Sequence, residues 1–138
     1  MTRSEEREQA FLFIFEKTFN METTEDDIVS YAEEARVLVP SLFAISLFKQ
    51  TYENLDEIDH IIEKFVIGWK KERISKVALS VLRLAICEIK YVPSVPSSVS
   101  ANEAVELAKK YATAEDAAFI NGILGTYIRS LQNEPSGD

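Results

Sequence analysis

The stretch RISKVALSVLRLAICEIKY, residues 73 to 91, limits the fold most. Ile74, Val77, Ala78, Val81, Leu82, Ala85, Ile86 and Ile89 keep one apolar stripe at helical spacing over several turns. Pro93 and Pro96 then stop it, because proline cannot continue the backbone hydrogen bonding of a helix. The rest of the chain offers further helices. Ala10, Phe11, Ile14, Phe15 and Thr18 mark one from about Ser4 to Phe19, with Ser4 at its start. The polar cluster Thr23 to Asp27 leads into Ile28, Tyr31, Ala32, Ala35 and Leu38, and Pro40 separates these from Leu42, Ile45, Phe48 and Tyr52. A break at Asn54 to Asp56 precedes Ile58, Ile61, Ile62, Phe65 and Val66. Two last helices are expected from about Ser100 to Tyr111 and from Asp116 to about Leu131.

Only four glycines and four prolines occur among 138 residues, which favours helices over a many-turned β fold. The expectation is an all-α protein of two small helical bundles, residues 1–68 and 69–132, followed by a disordered tail at 133–138. The first helix carries Phe11, Phe13, Phe15 and Phe19, an apolar surface too wide for one contact face. It is read as the central helix, with self-association through it left open.

Charge argues against a general nucleic-acid binder. The chain carries −8, and phosphate neutralisation supplies the sequence-independent part of such affinity. The distribution is uneven, however: residues 1 to 68 hold 6 basic and 15 acidic side chains, whereas residues 69 to 138 hold 9 and 8. A single cysteine, Cys87, rules out an internal disulfide, and a single histidine, His60, rules out a multi-histidine metal site. No phosphate-cradling glycine loop or nucleophile motif is present, so the chain does not read as an enzyme. The run AFLFIF is too short to cross a bilayer, and acidic residues precede it, unlike a signal peptide. A cytoplasmic protein is expected.

Three local oddities remain. Ser100 and Glu103 have the spacing of a capping box, the hydroxyl accepting from the Glu103 N–H and the carboxylate reaching back. Arg83 sits on the margin of the apolar stripe, where a partly buried guanidinium needs a carboxylate, and Glu103 or Glu106 is expected to supply it. Gly122, next to Asn121 inside the last helix, costs about 1 kcal/mol relative to alanine, which points to a close helix approach. Asn102 and Asn121 are read as structural polar groups that need partners at a helix start and a helix crossing.

These oddities fall in a recognisable order: the stretches LRLAICEI (82 to 89), VPSSVSANEAVELAKKY (95 to 111), AAFINGIL (117 to 124) and REQAFLFIFE (7 to 16) closely resemble those of the NusB family of bacterial transcription antitermination factors. The resemblance implies about seven helices in two subdomains, with no cofactor and no catalysis. It also implies a function: with the ribosomal protein NusE, the family binds the boxA element of nascent ribosomal RNA leaders, and with other Nus factors on RNA polymerase it suppresses premature termination.

Carried over residue by residue, the family's RNA surface falls on Arg3 and Arg7, with Glu5 and Glu6 interrupting the arginine arm. It continues on Phe15, where an aromatic is usual, on Glu115 and on Phe119. Leu12 stands where a glutamine is common. Single-stranded RNA held this way would use arginine contacts to phosphate and bases stacked on aromatic rings. Glu88, expected at the surface, and Tyr91 are the candidates for touching the protein partner. Core roles for Phe15 and Phe119, and pairing of Arg7 with Glu8 or Glu16 on solvent, are the alternatives. The whole reading places the arginine arm beside the start of the last helix, in one shared groove.

Overall fold

A computed structural model describes residues 1–35, 39–66 and 73–133. Seven α-helices and no strands occur among them, as expected of an all-α chain: α1 (Arg3–Phe19), α2 (Glu25–Glu34), α3 (Leu42–Glu53), α4 (Leu55–Phe65), α5 (Lys76–Tyr91), α6 (Ser97–Tyr111) and α7 (Ala114–Gln132). Leu38, the boundary near residue 68 and the tail at 134–138 lie outside the described residues.

Short hydroxyl side chains set most of the helix starts. Thr24, Ser41, Ser75 and Thr113 each accept a hydrogen bond from the N–H three residues on, satisfying one of the free donors of the first turn. At α1 the cap is Thr2, two residues before the expected Ser4, and it forms a full capping box with Glu5. The other end of α1 is closed by Lys17, whose buried ammonium donates to the carbonyls of Met21 and Thr23 at 3.1 and 2.6 Å.

The central helix is α5. Every residue from Ala78 to Ile89 is buried, because Ala, Ser and Cys fill the positions between the larger apolar groups and let helices approach on all sides. It touches α1, α3, α4, α6 and α7. The role expected of α1 thus belongs to α5. Ala10, Phe11, Phe13 and Ile14 of α1 are buried against it and against α3, Leu12 and Phe15 are half-buried, and Phe19 is exposed. Within α3 the core face is Ala44, Leu47, Phe48 and Thr51, so Leu42, read as part of the stripe, points outward at 86% exposure.

Candidate functional site

Arg7 and Glu88, assigned from the sequence to RNA and to a protein partner, bind each other. The Arg7 Nε donates to both Glu88 oxygens at 3.0 and 2.9 Å, and the two residues are 5% and 1% exposed. Ser100 adds a hydroxyl donor to the same carboxylate. Glu103 approaches Arg7 Nη1 at 3.8 Å and accepts from the Ser4 hydroxyl at 2.7 Å. Glu88 therefore has no exposed surface to offer, and Arg7 pairs with neither Glu8 nor Glu16. Burying two charges is tolerated here because each is met by its opposite and by further hydrogen bonds. The network ties the start of α1 to α5 and α6.

The same network removes the expected capping box. Helix α6 begins at Ser97, behind Pro96, whose fixed φ of −58° suits a helix entry, so Ser100 lies inside the helix with its hydroxyl turned to Glu88. Glu103 serves Ser4 and Arg7 instead. Nor does Glu103 or Glu106 serve Arg83. That guanidinium makes a two-pronged bond to Asp59 of α4, Nε to Oδ1 and Nη2 to Oδ2, both at 2.9 Å. Only the packing of α4 on α5 brings Asp59 to Arg83, 24 positions further along the chain.

At the start of α7, Glu115 and Phe119 line an open cleft of about 520 Å³ together with Phe65 of α4, Ala118, Gly122, Ile123 and Thr126. Phe119 is half-buried and Glu115 exposed. A smaller recess on the other side of the same two residues is lined by Arg73, Ile74 and Asp116. Gly122 is not a close-approach glycine: a Cβ built on it would meet nothing within 4 Å, and the residue forms part of the cleft wall. Asn102 and Asn121 are exposed and face a groove of about 440 Å³ between α6 and α7, where neither amide finds a hydrogen bond among the described residues. They are not structural polar groups with partners.

The arginine arm and the start of α7 do not share a groove. Arg7 is fixed to Glu88, near the end of α5, whereas Ser75 at its start donates to Asp116 of α7 at 3.1 Å. Thirteen residues of helix separate these anchors, about 20 Å at 1.5 Å per residue. Arg3 is exposed at the arm's end, stacked 4.0 Å over the Phe43 ring and paired with Glu6 at 3.3 Å. Phe15 lies between the rings of Phe11 and Phe19, at 5.9 and 5.0 Å. Tyr91 is half-buried and donates to Glu57, which also pairs with Lys90 at 3.1 Å.

Four residues of this arrangement were missed. Gln9, buried in α1, donates to the Val39 carbonyl at 2.8 Å and accepts from the Ser41 N–H at 3.0 Å, fastening the chain before α3. Asp59, Phe65 and Arg73 escaped because each meets its neighbours across long sequence distances. Phe65 did carry a signal, as a large aromatic at the end of an amphipathic stripe. Cys87 is buried beneath these helices, and burial pushes its thiol up to about 11. Among the described residues no group of three or more His, Cys, Asp or Glu could hold a metal, and no helix is long and apolar enough to cross a membrane.

A family model described as "NusB family" matches residues 4–129. The transcription antitermination protein NusB of Natranaerobius thermophilus is 41% identical over 135 residues, covering 95% of this chain and 97% of that protein. Its counterpart from Finegoldia magna is 37% identical over 137 residues, covering 96% and 98%. Among solved structures, T. maritima NusB superposes with a TM-score of 0.80 at 28% identity, covering 94% of this chain and 92% of that one. A chain in the crystal structure of antitermination factors NusB and NusE in complex with dsRNA gives 0.78 at 26% identity, covering 94% and 99%. Likeness of this extent, in sequence from the first helix to the last and in the arrangement of the helices, makes the chain a member of the NusB family.

Proposed function

We propose that this chain is a cytoplasmic, non-enzymatic RNA-binding antitermination factor. With NusE it binds boxA-type single-stranded RNA of nascent ribosomal RNA leaders, and it works within the complex of Nus factors on RNA polymerase. The observation that carries this reading is the near full-length likeness to a chain from the crystal structure of antitermination factors NusB and NusE in complex with dsRNA. The accessible members of the expected RNA surface support it: Arg3, Phe15, Glu115 and Phe119 all retain exposed area. We assign the helices before residue 68 and those after it to separate subdomains around α5.

Burial of Arg7 favours a second reading, an interaction module of this fold with little RNA affinity of its own. With that cation neutralised by Glu88 and the chain at −8, a basic partner would have to supply positive charge. A titration of boxA RNA, with and without NusE at two salt concentrations, separates the two. Salt-sensitive binding that NusE strengthens supports the first reading. Binding of NusE without RNA at any salt selects the second.

A further inference from the structure

Arg3 opens α1, and its side chain is 57% exposed, yet a second helix fixes its place. The guanidinium carbon lies 4.0 Å over the centre of the Phe43 ring, where the negative face of the aromatic system attracts the cation. Phe43 comes from the first turn of α3. It is half-buried and packed against the core, so the ring is a firm support. Its position follows from Gln9, whose amide holds the Val39 carbonyl and the Ser41 N–H, and from the Ser41 hydroxyl, which caps α3. A buried glutamine of α1 thus sets the ring on which the arginine at the start of the same helix rests. The two acidic residues of the arm leave that arginine partly free. Glu5 is spent on the Thr2 cap, and Glu6 takes only the Arg3 Nη1, at 3.3 Å, so Nε and Nη2 have no hydrogen bond among the described residues.

We infer that Phe43 is a positioning residue for RNA binding: it holds the Arg3 guanidinium flat on α3, with the free N–H edge ready for a phosphate. The inference rests on the RNA-binding reading above and adds to it a residue of α3 that the reading does not include. The face and the edge of a guanidinium are separate resources. Stacking uses the face, whereas a phosphate is gripped in the plane by paired N–H donors, so the ring does not compete with the ligand. A loose arginine loses its rotamer freedom when it binds, and one already stacked has lost much of it beforehand. Phe43 is not itself a platform for a base. Arg3 lies over the ring, so what Phe43 contributes to RNA passes through the guanidinium.

The test is a double-mutant cycle read by fluorescence anisotropy of a labelled single-stranded boxA-type oligonucleotide, titrated with the full chain in saturating NusE over a range of salt. Arg3→Ala is expected to weaken binding several-fold and to reduce the slope of log Kd against log salt by about 0.7, the loss of one single-strand phosphate contact. Phe43→Leu, which keeps an apolar side chain against the core, is expected to weaken binding about threefold in the wild-type background, as befits a cation–π contact at an exposed site. In the Arg3→Ala background the same change should have no effect on binding, which a merely structural role would not produce. Phe43→Tyr keeps the aromatic face and should bind within about twofold of wild type. If the wild-type chain binds and Phe43→Leu matches it, or weakens binding equally with and without Arg3, the inference falls and the functional reading stands. If the wild-type chain binds no RNA even with NusE, both fall. Should Phe43→Leu fail to fold, the exposed Arg3→Lys decides: it keeps the charge but loses the flat group, and binding equal to wild type would overturn the inference.

Discussion

The guanidinium of Arg7 and the carboxylate of Glu88, 81 positions apart in the chain, form a buried ion pair at 2.9 Å that holds the first helix to the central one. Removing one partner of such a pair leaves a charge without compensation. Arg7→Met or Glu88→Leu alone should cost about 3–5 kcal/mol in urea unfolding, whereas the double variant should recover most of that loss. The expected consequence for function studies is specific: Arg7→Glu lowers RNA binding through misfolding, visible as a lower Tm, and not through a lost phosphate contact.

A second, partly buried pair makes an independent prediction. Arg83 and Asp59 join α5 to α4 through two bonds of 2.9 Å. Arg83→Met and Asp59→Leu should each destabilise by about 3 kcal/mol, and the double variant by much less than their sum. Glu106→Gln should leave thermal stability within error. Equal losses from Glu106 and Asp59 variants would contradict the pairing.

Gly122 is the simplest position to stabilise. A methyl group there meets nothing within 4 Å, and alanine is favoured in a helix interior by about 1 kcal/mol. Gly122→Ala should raise stability by about 0.5–1 kcal/mol in chemical unfolding, the reverse of the loss that a close helix crossing would produce.

Acid should loosen the contact between α1 and α6. Glu8 accepts from Lys110 at 2.6 Å and from the Tyr111 hydroxyl at 2.6 Å, and these bonds, Lys110 first, hold its carboxyl below the ordinary 4.5. A depressed carboxyl stabilises the fold fully at pH above its unfolded value and loses that contribution as pH falls through the folded one. Glu8→Gln should therefore lower Tm at neutral pH and flatten the decline in stability on the acid side of 4.5. Wild type and variant should converge once the carboxyl is protonated in both folded and unfolded chains.

Helix positions were readable because their causes are local. A stripe at 3.6-residue spacing and a hydroxyl before it belong to a few consecutive residues, and the errors there are small: Thr2 caps α1 instead of Ser4, and α6 opens at Ser97 instead of Ser100. Pairing was not readable. Arg83 correctly signalled a need for a carboxylate, but several carboxylates could meet it, and the choice of Asp59 depends on how α4 lies across α5. Glu88 looked like an exposed charge on a helix rim until α1 and α6 closed over it. Gly122 and Asn121 looked like crossing residues, although the side of α7 that bears them meets open space.

The amino-acid sequence alone determined the number and limits of the helices, the absence of strands among the described residues and the family to which they belong, because periodicity, capping and motif order are properties of neighbouring residues. Only the tertiary structure decided that α5 and not α1 is central, that Arg7 and Glu88 are spent on each other, and that Phe65 and Arg73 join Phe119 at the far end of α5. Those outcomes depend on packing angles among seven helices, which set distances between residues that the chain itself leaves tens of positions apart.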